Sequence, residues 1–429
     1  MRTTRPSFLL TVATVAVATL ATAVPASAAI TTPATTTPGP RCFDGDAALT
    51  VEQDRLTRPA PQEILRRSTA DARVRDFRTD LCRARDARAA ERVVVRHGHA
   101  LWEWATARAQ GRTKVAGSLP GGDDRPLYWA RVSMTASLAQ WSPSRPVGAT
   151  GLARLQDRLE TTSRGQDTLH VPRGKKAERV VVTGFDPFTL DVDARIGNPS
   201  GANALALDGR RIRTDDGWVR VETAMFPVRW DDFAAGEVER TLLPFVKRGR
   251  AGLDVLATVS QGSPGEFDLE VWNGANRGGF GDNENLERTG LVPIPTGVPT
   301  VRPQPQFTRT NLPVEAMAAR DTGGYPVVVN HEIVERDPAT GVETTTTAGP
   351  TPGFEAVSGG GGDYLSNEIA YRATLLRDAR RAGNAGGHIH TPVLGLPGAG
   401  VVTDADYEAR RAAIVAQTTA LVRAAVDLG

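Results

Sequence analysis

Residues 179–200, RVVVTGFDPFTLDVDARIGNPS, decide the fold of this chain. Val180 to Thr183 form a β-branched run that ends in Gly184, Phe185, Asp186, Pro187 and Phe188, and ten residues on Asn198, Pro199 and Ser200 open a helical pattern. A strand, a proline-stiffened turn and a helix in that order are the repeating unit of a layered α/β sheet. Towards the C-terminus, short β-branched runs (Val219 to Thr223, Leu253 to Val259, Pro326 to Asn330, His388 to Pro392) alternate with helical stretches (Trp230 to Lys247, Val314 to Arg320, Asn367 to Arg381, Asp404 to Leu428). The alternation predicts an α/β domain over residues 179–429, an open mixed sheet with helices on both faces.

On the N-terminal side the pattern is different. Residues 42–168 are rich in Arg and Ala, with apolar positions at helical spacing, as in Leu81, Val93 to Val95, Leu101, Trp102 and Trp104, and an amphipathic run from Leu152 to Leu159. A small helical domain is expected there. Arg96, His97 and Gly98 after Val93 to Val95 resemble the opening of histidine phosphatases, but the further arginines and second histidine of such a site are missing. We read the triplet as a polar helix face.

Ahead of this domain, Arg2 and Arg5 precede an apolar run from Phe8 to Val24, then Pro25 and the small residues Ala26, Ser27 and Ala28. This order predicts a secretory signal peptide over residues 1–28, a Thr/Pro-rich linker over 29–41 and a secreted, extracellular protein. No later run is apolar enough to suggest a membrane anchor. An oxidising compartment predicts a disulfide between Cys42 and Cys82, the only two cysteines. Two cysteines are too few for a zinc framework. The 51 Lys+Arg residues face 49 Asp+Glu, a net charge of +2, and they are interleaved, which gives a nucleic-acid partner no support.

Four strand or loop ends carry the chemistry. The first is Gly184 to Phe188 with Asn198 to Ser200. The second is Ser260, Gln261 and Gly262, followed by Leu269, Glu270, Val271 and then Asp282, Asn283. The third is Ser358, the glycines 359–362, Asp363, Tyr364, Leu365, Ser366, Asn367 and Glu368. The fourth is Gly387, His388, Ile389, His390, Thr391 and Pro392. Taken by themselves the phenylalanines fit a core, Ser366 a helix cap and the histidines strand packing. Two histidines without further ligands do not suggest a metal.

In order and spacing these motifs resemble pyroglutamyl peptidase I (pyrrolidone-carboxylate peptidase), a cysteine peptidase family that removes N-terminal pyroglutamate. Gly184 to Phe188 and Asn198 to Ser200 match its opening motifs. Glu270 matches its glutamate, Tyr364 to Asn367 its nucleophile step, and Gly387 to Pro392 its histidine strand. The resemblance covers residues 179–429. It implies Ser366 as nucleophile, His390 as general acid and base, Glu270 as the group orienting the histidine, and Phe185, Phe188, Gln261, Tyr364 and Leu365 as substrate-binding residues. It also implies a peptide or small amide substrate, with no cofactor and no metal. Three departures touch the site. Ser366 stands where the family has cysteine; Pro264, Gly265 and Glu266 stand for Gly-Gly-Arg; and glycine, at Gly279, replaces a second arginine, with Arg277 nearby. A catalytically silent lactam-binding protein, or an amide hydrolase whose specificity is changed by the lost arginine and by the insertion from about Thr289 to Thr310, stay open beside the active peptidase. The oligomeric state is not fixed by these motifs.

Overall fold

The structure, a computed structural model, describes residues 42–170, 179–249 and 252–429. The expected signal peptide and linker lie outside the described residues.

The N-terminal region is helical, as its spacing predicts: α1 (Val51–Asp54), α2 (Pro59–Ser68), α3 (Ala70–Arg83), α4 (Ala87–Ala109), α5 (Arg125–Ala139) and α6 (Ala149–Ser163). Thr50 closes a capping box on α1, and Asp86 caps α4 by accepting from the Ala89 N–H at 2.9 Å. Phe77, Leu81, Trp102, Leu127, Trp129 and Leu138 fill its core. A disulfide joins Cys42 to Cys82 near the end of α3. The Arg96, His97, Gly98 triplet lies inside α4. A Cβ on Gly98 would stand 1.9 Å from Thr162 Oγ1, so the glycine is there to let α4 and α6 touch.

The remainder follows the alternating pattern. In chain order it comprises β1 (Arg179–Phe185), α7 (Pro199–Leu207), β2 (Arg211–Thr214), β3 (Gly217–Phe226), α8 (Trp230–Ala234), α9 (Glu237–Leu242), β4 (Val255–Gln261) and β5 (Phe267–Glu270). Then come β6 (Trp272–Gly274), β7 (Asn276–Gly278), β8 (Thr289–Leu291), β9 (Phe307–Arg309), α10 (Val314–Ala318), β10 (Val327–Asn330), β11 (Ile333–Arg336), β12 (Glu343–Thr346) and β13 (Glu355–Ser358). The chain ends with α11 (Leu365–Arg380), β14 (Ala385–Thr391) and α12 (Ala405–Leu428). The helix expected from Trp230 to Lys247 is broken into α8 and α9 by Gly236, whose φ of +83° a helix interior cannot hold.

Seven strands form a mixed sheet in the order β10-β5-β14-β4-β1-β3-β2. The four central strands β14, β4, β1 and β3 are parallel, β2 is antiparallel at one edge, and β5 pairs antiparallel with β14 at the other side. Side-chain alternation splits the sheet into two buried faces. Val180, Val182, Val255, Val259, Leu269 and Ile389 pack on Met317 of α10 and Ile414, Leu421 and Val422 of α12. Val181, Phe185, Leu256 and Phe226 pack on Leu365, Ile369 and Leu376 of α11 and on Phe233 and Leu242 of α8 and α9. The predicted sheet with helices on both faces is thus present. A small three-stranded sheet, β12-β11-β13, had no signal in the sequence, because Glu343–Thr346 is polar at every position. The helical region does not stand apart: Leu190, Ala204, Leu205 and Met225 belong to the same apolar core as Trp102 and Trp129.

Candidate active site

The parallel strands β1, β4 and β14 end together, and α11 begins against them, which is the ordinary ligand position of an open α/β sheet. On β14 the alternation puts His388 and His390 on the face covered by α11. His390 Nδ1 lies 2.7 Å from Glu270 Oε1 on the neighbouring β5. An ionised carboxylate only accepts, so this bond sets the proton on Nδ1 and directs Nε2, the base position of the neutral ring, away from Glu270. Glu270 is 1% exposed, and its second oxygen accepts from Asn330 Nδ2 at 2.8 Å. The same amide donates to the Gly360 carbonyl at 3.0 Å. His388 sits behind, held at 2.8 Å by Thr258 Oγ1 on one ring nitrogen and by Ser260 Oγ on the other. Complete burial, and then the nearby His390, push its pKa well below the ordinary histidine value, so it is neutral.

Ser366 is the second residue of α11. Tyr364 precedes the helix without a side-chain cap, and the N–H groups of the first turn have no acceptor within the helix. Those donors and the helix dipole favour negative charge beside Ser366. The Ser366 hydroxyl donates to the Gly361 carbonyl at 3.1 Å. Ser366 and His390 line one groove, with no hydrogen bond between them among the described residues.

The glycines before Ser366 provide close approach. A Cβ on Gly360 would stand 2.2 Å from Glu270 Oε2, one on Gly361 3.0 Å from His390 Cε1, and one on Gly359 2.2 Å from Asn367 Oδ1. From the other side, a Cβ on Gly262 would stand 2.6 Å from His390 Cγ. The sequence also suggests these glycines as extra N–H donors. The N–H groups of Gly359, Gly360 and Gly362 instead donate to the carbonyls of Gly362, Trp272 and Gly359.

Beside Ser366 opens a small pocket whose lining includes all five residues named as substrate-binding: Phe185, Phe188, Gln261, Tyr364 and Leu365. Phe188 meets the Tyr364 ring at 6.2 Å, and Trp230 and Phe280 pack edge-on against Tyr364. Burial raises the Tyr364 pKa, and its hydroxyl donates to the Gly281 carbonyl at 3.1 Å. Gln261 Oε1 accepts from the Leu394 N–H at 3.2 Å, which leaves its amide hydrogens and a second lone pair on Oε1 for a ligand. Asn198 and Ser200 hold the loop in place: the Asn198 amide donates to the Asp186 carbonyl at 2.9 Å, and Ser200 Oγ accepts from the Phe185 N–H at 3.0 Å.

Residues beyond the expected catalytic and substrate-binding set also shape the site. Asn330 lies on an edge strand far from any motif. Asp186, between the two pocket phenylalanines, is clamped by Arg131 of α5 and by Arg164, just past α6, the latter at 2.7 Å. Asn283 reaches the Pro187 carbonyl of the same loop at 2.9 Å. Arg277 does not reach the pocket, since it makes two 2.6 Å bonds to Glu368 of α11 and lies under Trp230. Neither cavity at the site takes a lining residue from the insertion at 289–310. Among the described residues no group of three or more His, Cys, Asp or Glu is placed to hold a metal ion, and no helix is long and apolar enough to cross a membrane.

Residues 32–160 match a family described as the PA0049 N-terminal domain, and residues 179–303 and 325–395 match the PA0049 C-terminal domain. The Pseudomonas aeruginosa protein named "Uncharacterized protein PA0049" is 34% identical, the match covering 89% of this chain and 89% of that protein. Among solved structures, the chain is similar to a mutant pyrrolidone carboxyl peptidase from Pyrococcus furiosus, at 21% identity and a TM-score of 0.38, over 58% of this chain and 98% of that one. It is also similar to Bacillus amyloliquefaciens pyroglutamyl peptidase I, at 19% identity and a TM-score of 0.38, over 59% of this chain and 96% of that one.

Proposed function

The chain belongs to the PA0049 family, and from the geometry of its site we propose that it is an exported serine peptidase cleaving the amide bond after an N-terminal pyroglutamyl residue. The observation that carries this reading is the His390–Glu270 pair, bonded through Nδ1, in the groove that Ser366 also lines and beside a small, mostly apolar pocket. The sequence motifs of the pyroglutamyl peptidases, present in order around the same residues, support it.

In this reading the flat lactam ring lies between Phe185 and Phe188, and the Gln261 amide donates to the ring carbonyl. The Ser366 hydroxyl turns from the Gly361 carbonyl and attacks the scissile carbonyl carbon as its proton passes to His390 Nε2. N–H groups of the first turn of α11 receive the oxyanion. His390 then gives the proton to the leaving amine as the C–N bond breaks, leaving a Ser366 ester. Water, deprotonated by His390, hydrolyses the ester to pyroglutamate and restores the serine. Glu270 keeps the imidazole in one tautomer and stabilises its charged form.

The bond from Ser366 to Gly361 favours a second reading, a lactam-binding protein whose chemistry has been retired, because there the hydroxyl points to a carbonyl and not to a base. Release of a chromophore from a pyroglutamyl amide separates the two. Turnover that falls by about 10³-fold or more in Ser366→Ala establishes the serine peptidase. A silent parent whose Ser366→Cys variant is active establishes the second reading, and silence in all three removes both.

A further inference from the structure

Resting on that reading, we propose that the larger groove on the other side of Ser366 is a leaving-group subsite that selects cationic amines, such as a peptide whose residue after pyroglutamate is Arg or Lys. The apolar pocket and the groove share Ser366 and Gln261 in their linings. A scissile bond at Ser366 therefore places the acyl ring in the pocket and the amine in the groove. The groove is much the larger of the two, about 470 Å³, with room for an extended side chain.

The charged groups in its lining are acidic. Glu266, Asp268, Glu270 and Glu332 contribute carboxylates, and no Lys or Arg lines it. Glu270 is spent on His390 and Asn330. Glu266, Asp268 and Glu332, of which Asp268 is buried, Glu266 half-buried and Glu332 exposed, make no ion pair among the described residues, whereas Asp186, Glu160, Glu368 and Glu239 are each held by arginine. Asp268 is 7% exposed, and burial, then the charge of Glu270, push its pKa above the ordinary carboxylate value, although Ser263 and His390 act the other way. A second, independent feature marks the groove as ligand-facing. His390 is 5% exposed and lines it, and its Nε2 has no hydrogen-bond partner among the described residues. A guanidinium or ammonium a few bonds beyond the scissile nitrogen meets the three uncompensated carboxylates, and the charge is left in the groove until the amine departs.

The test compares kcat/KM for the amides of pyroglutamyl-arginine, pyroglutamyl-alanine and pyroglutamyl-glutamate. Arginine is expected to exceed alanine by about tenfold at low ionic strength, with glutamate lowest and the spread narrowing as salt rises. The Arg/Ala ratio falls towards one in the Glu266→Gln, Glu332→Gln double variant and inverts towards glutamate in Glu332→Lys. Argininamide and alaninamide titrated calorimetrically into Ser366→Ala provide a readout that needs no turnover. Equal rates for the three substrates overturn the subsite and leave the peptidase reading standing. Absent turnover, with argininamide binding that the double variant weakens, keeps the subsite and removes the peptidase reading. Absent turnover without argininamide binding removes both.

Discussion

Gly360 and Glu270 are so close that a Cβ on the glycine would stand 2.2 Å from the carboxylate oxygen Oε2. The other oxygen of that carboxylate holds His390, so the glycine run before Ser366 fixes the position of the acid that orients the base. Gly360→Ala is expected to push Glu270 off His390 and cut kcat on a pyroglutamyl amide by about 10²-fold, the cost of roughly an ångström of misplacement. Steady-state kinetics beside a thermal melt checks this, and unchanged kcat in a folded variant refutes it.

Asp186 is fully buried between Arg131 and Arg164, with both pocket phenylalanines within two residues of it. Asp186→Asn keeps the shape but leaves two guanidiniums short of their counter-charge. Breaking a buried pair in this way costs about 3–5 kcal/mol. Urea denaturation is expected to show that loss, together with a raised KM for the pyroglutamyl amide as the Phe185–Phe188 loop loosens. A variant as stable as the parent would show that the clamp is dispensable.

Glu160, at the end of α6 and 14% exposed in its side chain, pairs with Arg131, Arg164 and Arg229. Burial alone would raise its pKa, but the guanidiniums of Arg164, Arg229 and Arg131 outweigh that and bring it down to about 2 from 4.5. A depressed carboxylate pKa contributes stability that is present above the unfolded value and lost as pH falls through the folded one. The window is therefore about pH 5 down to about pH 2, and the contribution is on the order of 3 kcal/mol. The stability gap between the parent and Glu160→Gln is expected to shrink by that amount across the window. A gap independent of pH would contradict the ion-pair account.

The Cys42–Cys82 bond closes a loop spanning 40 residues of sequence. The chain-entropy estimate for such a loop is about 4 kcal/mol. The Cys42→Ser, Cys82→Ser double variant should melt several degrees lower, with kcat unchanged, because the bond lies in the helical region away from Ser366. A variant that melts with the parent would show that the native helices already impose the constraint.

The strands β1, β4 and β14 were legible because a central parallel strand is buried on both faces and reads as an unbroken β-branched run. Ser366, His390 and Glu270 were legible for a related reason, since each stands at or next to a strand or helix end in a local motif of unusual composition. Asn330 offered no such signal. It is an ordinary polar residue at the end of an edge strand, and only the parallel pairing of β10 with β5, in a register that sets Asn330 beside Glu270, brings the two together. Arg277 shows the opposite failure: its nearness in sequence suggested the pocket, while its side chain runs to Glu368.

The sequence by itself determined the helical pattern of the N-terminal region, the sheet with helices on both faces and the motifs gathered around Ser366, because periodicity and turn chemistry are local properties of the chain. Tertiary structure alone decided that the helical region clamps Asp186 through Arg131 and Arg164, that glycines 359–361 let the loop close on Asn367, Glu270 and His390, and that Glu266, Asp268 and Glu332 face one groove. Each of these depends on which distant segments are brought within a few ångströms, and that follows from packing two faces of one sheet, which no single stretch of sequence encodes.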